Sequence, residues 1–188
     1  TLPYGWFFHR ITDGISPEVL VYREVKDVHG DVIQIQMSRL DTTTRLLRSL
    51  NLNLPDGVRE WVLDTKLQPR MVVSHVKGRS KVHWRAAGDE KWTEVADFDP
   101  LKEPGFSPRW IDDDDGVIVS ARVGGDMQAL YRWDPKTRRI DPEPLAQVPG
   151  FDLSSRIETD AKSGRLLGLH TVLDRPTSVW FDADMQRV

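Results

Sequence analysis

The sequence predicts an all-β chain, and three observations carry that reading. Apolar and polar residues alternate with period two, short Gly, Pro and Asp clusters interrupt the alternation, and two separate motifs recur about every 47 residues. In VIQIQMSRL, Ile33, Ile35 and Met37 alternate with Gln34, Gln36 and Ser38. In GVIVSARV, Val117, Val119, Ala121 and Val123 alternate with Ile118, Ser120 and Arg122. Alternation rich in β-branched residues suits strands with one face more buried than the other. The punctuation comes as TDGISP, LPDG, AAGDE, DDDDG, DPKT and KSG, all turn chemistry. RLLRSLNL alone has helical spacing, at Leu46, Leu47 and Leu50. A short helix fits it less well than a strand.

The period appears when two stretches are aligned. Arg39 to Arg45 and Arg132 to Arg138 both read R-[L/W]-D-x-x-T-R, offset by 93 residues. Half that offset lands on Arg85 in KVHWRAAGDEKWTEVA, where Ala87 replaces the turn Asp. One further step lands on TSVWFDADMQRV, where Trp180 takes the Arg position and Asp182 the Asp position. A second motif keeps the same phase: WVLDTKLQPRMVVSH, WIDDDDGVIVSAR and IETDAKSGRLLGLH carry Asp64, Asp113 and Asp160, spaced 49 and 47 apart. Asp41, Asp64, Asp113, Asp134, Asp160 and Asp182 therefore read as structural turn residues. An Asp opening a turn accepts a backbone N–H two residues on, and Pro135 after Asp134 presets φ for a type I turn. Trp61, Trp84, Trp110, Trp133 and Trp180 lead into these turns and read as the large side chains packed between neighbouring sheets.

A repeat of this length holding four short strands is the signature of a β-propeller blade. The expected organisation is a single partial propeller of about four blades of four-stranded antiparallel sheet, at 1–51, 52–98, 99–147 and a truncated 148–188. A β-sandwich would not require the period. The chain is expected to stop inside a strand at Val188, as a piece of something longer. Open blade edges favour self-association.

Composition narrows the function. The chain has 188 residues, 39% hydrophobic and 29% charged, so it can build a core and is expected to be soluble. Net charge is −3 with both signs mixed along the chain, so no nucleic-acid footprint stands out; Arg138 and Arg139 are too small a pair. No apolar run approaches membrane-spanning length. There are no cysteines, which removes disulfide and thiolate chemistry.

No metal, cofactor or catalytic constellation is read from the residues. In IDDDDGV an EF-hand frame fails, because Gly116 falls at position 4 or 5 rather than 6. His9, His29, His75, His83 and His170 are scattered. His75 and His83 flank KGRS and could face each other, but no third ligand is near. His170 with Asp174 spans a turn without a nucleophile in the right order. TDAKSGRLL lacks the closing aromatic of a sialidase-type Asp box.

The stretches REWVLDTKLQPRMVVS, VHWRAAGDEKWTEVADFDP, ALYRWDPKTRRIDPEPLA and GRLLGLHTVLDRPTSVWFDADMQ resemble the N-terminal propeller of bacterial serine peptidases of the prolyl oligopeptidase family. The resemblance spans roughly residues 15–188 and is most telling from Arg156 to Gln186. It implies a substrate gate over an α/β-hydrolase domain that lies outside this chain. It further implies short peptides as the parent's substrates and a bacterial cytoplasmic or periplasmic setting. The nucleophile elbow G-x-S-x-G is absent; GFSPR around Ser107 comes nearest, and Pro108 breaks its spacing. The fragment is thus expected to perform no chemistry itself. No motif assigns substrate binding to Glu18, Glu24 or Glu60, which read as solvated charges. The alternative is a stand-alone propeller scaffold binding a protein or small ligand.

Overall fold

The computed structural model describes residues 2–12, 16–112, 115–160, 163–172 and 174–187. It is all-β, with four meander sheets in succession. The first holds β1 (Phe7–Ile11), β2 (Glu18–Lys26), β3 (Val32–Asp41) and β4 (Leu47–Ser49). The second holds β5 (Val58–Leu63), β6 (Pro69–Val76), β7 (Arg79–Trp84) and β8 (Thr93–Phe98). The third holds β9 (Phe106–Ile111), β10 (Val117–Ala121), β11 (Ala129–Asp134) and β12 (Arg139–Ala146). The last holds β13 (Ser155–Thr159), β14 (Leu166–Val172) and β15 (Pro176–Trp180), and is three-stranded. In every sheet the strands lie side by side in chain order, the connectivity of propeller blades.

RLLRSLNL contains a strand, β4, as preferred over the helix; Leu47 pairs with Leu40 across the Asp41 turn. The last described residues depart from the expected strand. Met185–Arg187 form a 3₁₀ turn because the Asp182 carboxylate accepts the N–H groups of Asp184 and Met185, and Gln186 N–H donates to Asp182 O.

The chain divides into two compact units. One is Thr1–Trp61 with Pro69–Pro100; the other is Val62–Gln68 with Leu101–Val188. In the first, Leu20, Val21, Met37 and Leu40 are buried in sheet one, and Val58, Met71, Val72, Val73 and Val82 in sheet two. The Trp61 indole N–H donates to Ile35 O at 3.0 Å, tying β5 to β3. Arg70, 2% exposed, stacks 4.8 Å from the Trp84 ring while its Nε donates to Arg85 O. This pairs a buried cation with an aromatic face and a carbonyl. In the second unit, Ile118 and Leu130 of sheet three meet Leu153 and Leu169, flanked by Trp110, Ile157 and Phe181. Trp133 is buried against Phe106. Consecutive residues are buried together, as at Leu20–Val21, Met71–Val73 and Val117–Ala121. These inner strands are thus buried on both faces, and the expected contrast between faces is not seen there. Ile33, expected on the more buried face, is exposed.

Candidate ligand-binding face on the last sheet

The predicted turn residues fall into two geometries. Asp41, Asp134 and Asp160 open five-residue turns closed from Arg45, Arg138 and Gly164 N–H to the Asp carbonyl. Arg45, Arg138 and Gly164 sit in the left-handed region at φ 63°, 57° and 68°. The carboxylates do the expected work. Asp41 accepts from Thr43 and Thr44 N–H, Asp134 from Lys136 N–H and the Thr137 hydroxyl, and Asp160 from Ser163 N–H. Backbone N–H bonds, Thr44 foremost for Asp41 and Lys136 for Asp134, hold both carboxyls below the usual carboxylate range.

Asp64 opens a tighter turn, where its backbone N–H donates to Gln68 O and its carboxylate accepts from Lys66 and Gln68 N–H. Asp113 lies outside the described residues. Its neighbour Asp112 makes the Asp64-type bonds, giving its N–H to Gly116 O and accepting Gly116 N–H on its carboxylate. Asp27 builds the same turn with Asp31 and His29; DVHGD was its signal in the sequence. Asp182 holds the turn after β15 and pairs with Arg165 at 2.7 Å.

The more consequential side chains lie on the strands. His75 and His83 do not face each other. His75 Nδ1 is 3.0 Å from the Ser80 hydroxyl, and buried His83 Nε2 is 3.1 Å from Ser74 Oγ. Burial pushes His83 below the usual histidine value. Glu60, on β5, stands 3.5 Å from His75 Nε2. Glu18 instead bridges Arg39 and Arg48, and Glu24 pairs with Lys26.

The last sheet repeats the Glu–His–Ser chain on its own first three strands. His170 Nδ1 is 2.6 Å from Ser178 Oγ, and its Nε2 is 3.7 Å from Glu158, which accepts Arg156 Nε at 2.6 Å. Asp174 is not its partner. Arg156, His170 and Ser178 are direct cross-strand partners, so they form one row on one face. The Trp180 ring lies edge-on to His170 at 5.5 Å. Gly168 makes room for it, since a Cβ there would come 2.7 Å from the indole and 2.3 Å from Val179 O.

This row borders an open cleft of about 800 Å³ lined by Ser154, Ser155, Arg156, His170, Thr177 and Ser178 among others. A second cleft, about 760 Å³, lies at the turns of sheet three. Its lining mixes Arg132, Lys136 and Arg139 with Asp115, Asp134 and Asp141. Charges of both signs leave that cleft without a preference. No group of three or more His, Cys, Asp or Glu suited to a metal occurs among the described residues. No described helix is long and apolar enough to cross a membrane.

No protein-family model matches the chain, and no curated protein matches it. Among solved structures it is similar to the crystal structure of TolB from Acinetobacter baumannii, with a TM-score of 0.54 at 14% identity. That match covers 87% of this chain and 39% of the TolB chain, so this chain spans well under half of TolB's length. At such identity the likeness speaks to fold alone, and with the meander sheets it identifies the chain as β-propeller in type.

Proposed function

We propose that this chain is a non-catalytic propeller segment that binds and gates peptides for a serine peptidase of the prolyl oligopeptidase family. One observation carries the non-catalytic part: the described serines that meet a histidine are not set up as nucleophiles. Ser80 and Ser74 are buried at 3% and 1% exposure. Ser178 meets Nδ1 of an imidazole whose other nitrogen is 3.7 Å from Glu158, beyond hydrogen-bond reach. Ser107 lies on β9 paired with Ser120, not on a strand-to-helix elbow. The peptidase parent rests on the four resembling stretches, and its hydrolase domain would be this segment's partner. A second reading, a scaffold propeller without a peptidase, draws on the likeness to TolB.

The test is the coding sequence downstream of Val188, with a peptidase assay of the full-length product on a short peptide and on a folded protein. A G-x-S-x-G after a strand, then Asp and His, with cleavage of the short peptide only, is the expected outcome. A stop codon, or further 47-residue repeats without the elbow, leaves the scaffold reading and removes the peptidase one.

A further inference from the structure

The cleft on the last sheet has a chemical bias that the other lacks. Its lining holds a guanidinium, an imidazole and several hydroxyls, and no carboxylate. Glu158 engages Arg156 through Nε alone, which leaves the two terminal nitrogens of the fork, the pair that suits a planar carboxylate. The Thr171 hydroxyl is committed to Ser154 O and the Thr177 hydroxyl to Arg175 O. The row is also pre-set: Ser178 and the Trp180 edge fix the His170 ring, and Glu158 fixes the base of the Arg156 fork. Fixing these groups beforehand lowers the ordering cost of binding. In sheet two the corresponding Glu60–His75–Ser80 chain ends on a buried serine, Ser80.

We infer that the cleft over β13–β15 binds a carboxylate carried by a peptide, with Arg156 as the anion contact and His170 beside it in the same cross-strand row. The inference rests on the peptide-binding reading above and assigns that reading a location and a ligand chemistry. Arg156 sits on the first strand and Ser178 on the third, so the carboxylate lies across the sheet and the peptide leads away over the open cleft.

The experiment is a titration of the intact 188-residue chain, by calorimetry, with an N-acetylated tetrapeptide bearing a free C-terminal carboxylate and with its C-terminal amide. Binding of the acid, weakened about tenfold or more in the amide and in Arg156→Gln, is expected. Arg132→Gln, in the other cleft, should leave it unchanged. Circular dichroism of each variant checks that it folds. Equal binding of acid and amide overturns the carboxylate inference while leaving peptide binding intact. No binding of either peptide overturns it too, and the downstream-sequence test then decides the parent separately. Binding of the acid that survives Arg156→Gln but fails in Arg132→Gln moves the site to sheet three and overturns the assignment.

Discussion

Sheets two and four carry the same Glu–His–Ser chain and treat it differently. In sheet two Ser80 is 3% exposed and β7 is covered by β8. In sheet four Ser178 is exposed and β15 has no described strand on its far side. With β8 beside it, where Phe98 pairs with Ser80, the serine end of the row is buried while Glu60 and His75 still reach solvent. The two hydrogen bonds differ at the serine end. The imidazoles are similarly exposed, at 35% and 39%, while the Ser80 hydroxyl is out of reach of water and the Ser178 hydroxyl is not.

The comparison can be broken most forcefully in the core. Leu169 is fully buried in sheet four against Ile118, Leu130 and Leu153. Leu169→Ala should cost about 2–5 kcal/mol in denaturant unfolding. A cost under about 1 kcal/mol would mean that sheet four is held loosely and that its exposure reflects poor packing. Next in size is the hydrogen bond itself. Ser80→Ala should cost about 1 kcal/mol and Ser178→Ala less than about 0.5 kcal/mol. Equal costs would erase the distinction between the two sheets.

The smallest effect sharpens it through pH. Burial depresses the His83 value, so the folded chain holds fewer protons there than the unfolded chain. Stability from this group is then intact above pH about 6.5, the unfolded value, and falls as pH drops below it. Asp41 and Asp134, also depressed, lose theirs only below the ordinary carboxylate range. Thermal melts from pH 8 to pH 5 should show a decline that His83→Gln reduces. His9, also depressed by burial, supplies a remainder of the same sign. A melting temperature flat over that range in both proteins would contradict a buried neutral His83.

Much of this was legible in the sequence, for physical reasons that also mark where legibility stopped. Alternation at Ile33–Met37 and Val117–Ala121 gave the strands because side-chain period is fixed by backbone geometry. The turn Asp residues were readable because their bonds are local, within two to four residues. In the run Asp112 to Asp115 four identical residues hid which one opened the turn. Geometry selects Asp112, which restores equal steps of 48 from Asp64 to Asp160. The Glu–His–Ser chains were not read, because they depend on cross-strand register. Ser80 was recoverable in principle: a two-residue Lys77–Gly78 hairpin pairs Val76 with Arg79 and hence His75 with Ser80. Ser178 was not, since the hairpin between His170 and Ser178 is longer and its register follows from no local rule. Glu60 and Glu158 lie a further strand away, where sequence distance carries no information about contact.

The left-handed position in the five-residue turns bears on how such repeats drift. Arg45, Arg138 and Gly164 occupy one conformation in one turn shape, and neither guanidinium is needed to close it. The closing Arg of the R-x-D-x-x-T-R string is therefore free to change to Gly or Asn, residues that enter this conformation with less strain. Where the Asp is present its carboxylate satisfies the turn's N–H groups, whereas the second repeat, with Ala87 in its place, closes its turn from Asp89 N–H to Ala86 O. What the copies in sheets one to three all keep is the strand–turn–strand frame, and copies of it will diverge until only structure reveals their common origin.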